Sequence, residues 1–265
     1  MTFPTTVQYL LEFMASAIFI MIVNMAMANI KSLPQRNAKI VRGVAYGAAT
    51  FAVFLGLSMV IQTTTSANYF FLINPAFTVG MAVAGGVKWA QVAPMIASQV
   101  LGMLVGQILV VLANYKKYQE VEDSTELLAM FVTINDFDNR TYENRPSAWI
   151  NGFFTEFFAS FIFFFILAFS INLQQSSIML VIGFVAFVLV ASTGAVMNPA
   201  MDFAARLIFW FMPDSILGDA KDDSRWWYSI VPIVVPFIAA IAAVALVKII
   251  LKTGTASTSS TTTAG

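Results

Sequence analysis

Long runs without a single charged side chain constrain this chain more than any other feature. No Asp, Glu, Lys or Arg occurs in 13–30, 43–87, 89–115, 157–201 or 226–247. A helix of about 20 apolar residues crosses the hydrocarbon core of a bilayer, so every one of these runs is long enough to do so. Two of them, 43–87 and 157–201, hold 45 residues each and are too long for one crossing. Composition agrees: 59% of the 265 residues are hydrophobic and 11% charged, against about 25% charged in soluble domains. The 14 basic and 14 acidic residues cancel, which points away from a nucleic-acid partner. Cys and His are absent. Disulfides, thiolate chemistry, imidazole-assisted nucleophiles and the usual zinc sites are thereby excluded, and neither an enzyme nor a cofactor is expected.

The pattern predicts an all-α integral membrane protein with spans at 8–30, 42–62, 89–113, 148–171, 177–196 and 227–250. The N-terminus has no basic segment before its apolar run, so the first span is expected to be retained. A polar loop is expected at 31–42 and a tight one at 172–177. Within the acidic connector 114–147, residues 115–147 carry four basic and seven acidic side chains, so this segment is expected in water. The Ser/Thr/Gly-rich stretch 253–265 has no apolar face and reads as a disordered tail. Asn139-Arg140-Thr141 fits a glycosylation sequon, a pattern too short to carry weight.

Two apolar pieces remain, 74–87 and 198–212, each too short to cross. Backbone that stops at membrane depth survives only inside protein or along a water-filled cavity. Both pieces begin with Asn-Pro-Ala: Asn74-Pro75-Ala76 and Asn198-Pro199-Ala200. Residues 12–19 also match 156–163 at six of eight positions, with Glu12 and Glu156 opening the two copies. Each copy starts a set of three spans, about 8–113 and 148–251, within one channel domain over 1–252. Three is odd, so the second half enters from the opposite face as an inverted repeat. Asn caps a helix well and Pro suits its first turn. Two such helices meeting head-on at the midplane each bring about half a positive charge, which repels cations. Their Asn amides are placed to donate N–H groups to a passing hydroxyl or water.

On these residues the sequence resembles the aquaporin and glycerol-facilitator family over nearly all of 8–251. The segment 97–102, with Gln99, resembles that family's third span. The resemblance implies six transmembrane helices plus two half-helices, a homotetramer with one pore per subunit, and buried acids at Glu12 and Glu156 that hold the pore loops. Asp202, Arg206 and Pro232-Ile233 place it nearer the glycerol branch. In that family the residue after the second Asn-Pro-Ala is usually Arg; here it is Met201, which removes five donors and a charge. Tyr46, Val190 and Ala195 align with the other constriction positions, which implies a wider and more apolar mouth. The expected function is passive conduction of small uncharged solutes: glycerol and related polyols, water, and protonated lactic acid.

Glu12 and Glu156 also admit a reading as the proton relay of an ion-coupled secondary transporter. Their recurrence in both halves favours a symmetric structural role. Asp202, in the first turn of a half-helix, reads as a helix-terminus or loop-holding acid rather than a solute ligand. If the spans alternate, 11 of the 14 basic residues lie on the side opposite the termini, so charge bias puts both termini outside. The family resemblance puts both in the cytoplasm of a cell-membrane protein, and that orientation is adopted here as the expectation.

Overall fold

A computed structural model describes residues 3–30, 35–66, 69–134, 145–171, 176–222 and 224–261. Every regular element among them is a helix. The first half contains α1 (Thr5–Met27), α2 (Gln35–Phe51), a π-helical turn (Ala52–Leu57), α3 (Ser58–Thr65), the short α4 (Pro75–Ala84) and α5 (Trp89–Gln119). After α6 (Ser124–Ala129), the second half contains α7 (Arg145–Ile171), α8 (Ser176–Thr193), the short α9 (Pro199–Phe211), α10 (Asp214–Leu217) and α11 (Trp226–Thr261). The π turn joins α2 and α3 into one continuous rod. By length and composition, Thr5–Met27, Asn37–Thr65, Trp89–Gln119, Pro146–Ser170 and Trp226–Lys252 can each cross a membrane. The 18-residue α8 is apolar too but shorter than these five.

Packing follows the repeat. The first and third long helices of each half lie together, α1 on α5 and α7 on α11, while α2 meets α8 across the halves. Each half-helix then rests on the last long helix of the other half, α4 on α11 and α9 on α5. With no hydrophobic driving force between helices in lipid, small residues must let backbones approach. A Cβ on Gly102 would sit 2.2 Å from the Phe13 carbonyl oxygen, and one on Gly106 would sit 2.6 Å from that of Ala17. Gly43 and Gly47 play the same part in α2, facing Ala191 and Gly183 of α8.

Three expectations need correction. The connector is not simply solvated: Leu127, Leu128, Met130, Phe131 and Val132 are buried, and the Phe131 ring packs 5.0 Å from Tyr118 and 5.1 Å from Phe209. Charge counted over the whole segment hides a local apolar run that has a surface to cover. The Asp123 side chain caps α6 by accepting from Thr125 N and Glu126 N. The polar loop at 31–42 is shorter than expected, because α2 already begins at Gln35 and Arg42 is buried within it. Last, α11 continues as helix through Thr261, into the stretch read as tail. Much of the tight loop at 172–177, and the sequon Asn139-Arg140-Thr141, lie outside the described residues.

Gly102→Val is expected to lower stability by about 3 kcal/mol, the upper end of overpacking costs, because a carbonyl cannot yield as a side chain can. Gly56→Ala, whose Cβ would meet nothing within 4 Å, is expected to stay within about 0.5 kcal/mol. Thermal unfolding of both variants in detergent compares them; equal melting temperatures would refute the close-approach account of α1 and α5.

Candidate functional site

The short helices begin where their sequences say they should. Asn74 and Asn198 are extended residues at the N-caps of α4 and α9, each followed by Pro in the first turn. The Asn74 Oδ1 accepts from Ala76 N at 3.0 Å, and the Asn198 Oδ1 from Ala200 N at 3.1 Å. The other end of each amide crosses to the opposite loop. Asn74 Nδ2 donates to the Met197 carbonyl at 2.7 Å, and Asn198 Nδ2 donates to the Ile73 carbonyl at 2.9 Å. The two helix N-termini therefore meet head-on, tied by a reciprocal pair of hydrogen bonds. An amide NH₂ has two hydrogens. One is spent on this tie, so each Asn brings one donor to the lumen rather than two.

Ile73 and Met197, the residues just before the caps, have φ of 44° and 55°. For a β-branched residue such as Ile73 that is a costly conformation. Carboxylates hold both. Glu12 accepts from Ile73 N at 2.7 Å, Leu72 N at 2.9 Å, Gln99 Nε2 at 2.8 Å and Tyr69 Oη at 3.0 Å. Glu156 accepts from Val196 N at 3.0 Å and from Met197 N. Asp202 behaves differently. It makes a bidentate pair with Arg206, at 2.8 and 2.9 Å, and Arg206 Nη1 donates to the Ser224 carbonyl at 2.6 Å. The loop it steadies is the one before α11, reached through Arg206, because the first turn of α9 points it away from the residues preceding Asn198.

A small cavity opens at the junction, lined by both asparagines and by Phe19, Tyr46, Phe54 and Leu167. A second is lined by Lys39, Thr133, Ala195, Val196 and Tyr228 among others. Between them the Tyr46 hydroxyl donates to the Val196 carbonyl at 2.9 Å. The four constriction candidates are thus divided. Tyr46 walls the junction cavity and Ala195 the second one, while Val190 and Met201 are buried and line neither of these two. Sequence reasoning missed Arg42, Lys39 and Thr133 at this seam. Helical spacing carried a signal: 39, 42, 46 and 50 recur every three or four residues, so Lys39, Arg42, Tyr46 and Thr50 share one face of α2.

The sequence profile of the major intrinsic protein family matches residues 2–247. The glycerol facilitator-aquaporin gla of Lactococcus lactis subsp. cremoris is 32% identical, with 92% of this chain and 98% of that protein covered. The glycerol uptake facilitator protein-like 5 of Lactiplantibacillus plantarum is 28% identical, over 94% of this chain and 98% of the relative. Among solved structures, the aquaglyceroporin from Plasmodium falciparum superposes with a TM-score of 0.65 at 16% identity, covering 92% of this chain and 96% of its own; the likeness is one of fold.

Removing a buried acceptor leaves its donors unpaired, at about 1–3 kcal/mol for each. Glu12→Ala orphans two backbone N–H groups and one N–H of Gln99, while the Tyr69 hydroxyl keeps the Gln8 carbonyl as an acceptor. Glu156→Ala orphans the two backbone N–H groups of Val196 and Met197. Glu12→Ala is therefore expected to be the more destabilising of the two, by about 1–3 kcal/mol for the one further orphaned donor. Detergent melting of the two variants tests this, and a larger loss at Glu156 would count against it.

Proposed function

Since the chain belongs to the major intrinsic protein family, we propose that it is a passive, bidirectional channel for glycerol. The family and its glycerol-facilitator relatives support that reading. The observation that carries it is the head-on junction of α4 and α9 around a cavity that both asparagines line. Water, related polyols and protonated lactic acid are proposed as further solutes.

The physics of the junction discriminates by charge. Two helix N-termini add about half a positive charge each, in a medium of low dielectric, so a cation has no favourable position there. A hydroxyl oxygen accepts from the remaining N–H of Asn74 and of Asn198 in turn. A water that does the same is oriented by both, which breaks the hydrogen-bonded chain needed for proton hopping. Phe19, Phe54 and Leu167 face the carbon skeleton of a polyol on the other side of the passage. An ion-coupled transporter would need a free intramembrane acid. Both glutamates are instead committed to loop N–H groups, which favours the channel.

The assignment extends to one channel domain over 1–252, a homotetramer with one pore per subunit, and a place in the cell membrane with both termini in the cytoplasm. Neutral solutes and the lipid bilayer are its partners, and no cofactor takes part. Asn74, Pro75, Ala76, Asn198, Pro199 and Ala200 form its midplane. Tyr46, Val190, Ala195 and Met201 are assigned to the outer constriction, and Glu12, Glu156 and Asp202 to loop support.

Purified protein in liposomes is expected to give non-concentrative osmotic flux of glycerol and water, followed by light scattering. Saturable uptake driven by a proton gradient would refute the channel reading. Met201→Arg is expected to narrow the profile toward water and glycerol, with lactic acid reduced most; identical profiles would remove Met201 from the filter. Protease added to right-side-out vesicles is expected to leave a tag on the C-terminal segment intact.

A further inference from the structure

Arg42 holds a position that neither the midplane junction nor the loop clamps explain. It is 5% exposed, on a helix whose length and composition suit a membrane crossing. On the same face of α2, Lys39 lines the second cavity, and Tyr46 and Thr50 line the junction cavity. Arg42 therefore stands at the seam between the two. Its Nη1 donates to Thr133 Oγ1 at 2.9 Å, and its Nη2 donates to the Ala129 carbonyl. Thr133 is itself a wall of the second cavity. Asp202, next to Met201 in the first turn of α9, is within electrostatic reach of the guanidinium.

A guanidinium has five N–H groups and is charged at any pH of interest. Two of Arg42's are used, and the other three have no protein partner among the described residues. A buried cation with spare donors is expensive unless something polar reaches it; Arg42 lines neither of these two cavities itself, but its neighbours on the same helix face, Lys39 and Tyr46, line one each, and it keeps a small exposed area. The Tyr46–Val196 hydrogen bond takes up one polar pair at this level, and the Arg42 guanidinium sits one helical turn away from Tyr46 on the same face.

We propose that Arg42 is the solute-selecting cation of the outer constriction. Its spare N–H groups donate to the hydroxyl oxygens of a polyol passing between the two cavities, and its charge bars cations at the same level. The group expected after the second Asn-Pro-Ala thus comes from α2, across the passage. This rests on the channel reading above.

Vesicle flux tests it through the ratio of glycerol to water permeability. Arg42→Met is expected to lower that ratio about tenfold, the order of a charge-assisted hydrogen bond. Adding Met201→Arg to that variant is expected to bring most of it back, because the new side chain leaves α9 beside Asp202. An anchor that merely held 129–133 would reduce both fluxes together and leave the ratio alone. An unchanged ratio in folded Arg42→Met therefore overturns the proposal. Should that variant not fold, Arg42→Lys keeps the charge and loses the fork; a fall of about threefold is expected, and an unchanged ratio again overturns it. Wild-type vesicles that pass neither solute would overturn the channel reading itself, before any variant is compared.

Discussion

Two residues held where neither would settle alone determine the rest of this structure. Ile73 and Met197 lie in the left-handed region, which costs an L-residue about 1–2 kcal/mol. Each is fixed from two sides, by a carboxylate on its N–H and by the opposite asparagine on its C=O. The four clamping groups come from α1, α7 and the caps of α4 and α9. Half of every clamp belongs to the other half of the chain, so neither half can build its own end of the junction. That mutual dependence explains why α4 rests on α11 and α9 on α5.

The same bonds decide which polar groups the passage shows. N–H groups of the approach loops turn outward to Glu12 and Glu156, inside protein. One hydrogen of each asparagine is spent on the cross-tie. What reaches the cavity is a short set of donors set against aromatic and aliphatic walls. A solute that is neutral, amphipathic and rich in hydroxyls loses little by exchanging water for that surface, whereas an ion loses most of its hydration.

Much of this was legible in the chain itself, for a physical reason. Helix capping is local chemistry, so Asn74-Pro75 and Asn198-Pro199 announce two helix starts without tertiary information. Charge-free runs mark crossings because the bilayer tolerates little else, and the copies at 12–19 and 156–163 expose the repeat. Arg42 was hidden because a basic residue beside Lys39 and Arg36 reads as loop; only the contacts to Ala129 and Thr133 show it facing inward. The connector misled for a related reason. Its acids dominate the count, while Leu127 and Leu128 are buried and Phe131 packs on Tyr118 of α5 and Phe209 of α9, with Asn24 of α1 donating to the Phe131 carbonyl. Asp202 was legible as a helix-terminus or loop-holding acid, but not which loop it serves, since its partner Arg206 and the loop at 224–225 meet only in the folded chain.

The field of α9 bears on what its first turn carries. A cation in the first turn of a helix opposes the macrodipole, and an anion there is favoured by about 0.3–1 kcal/mol. Asp202 takes the favoured role in that turn and is already engaged by Arg206. A guanidinium at position 201 would add a second cation beside this pair, against the dipole. Carried on α2, the guanidinium avoids the positive end of α9 yet stays within reach of Asp202, and its anchors on Ala129 and Thr133 fix the segment that walls the mouth. On the proposal that Arg42 is the cation of the constriction, Met201 is then free to be a thioether, since the charge is delivered from another wall.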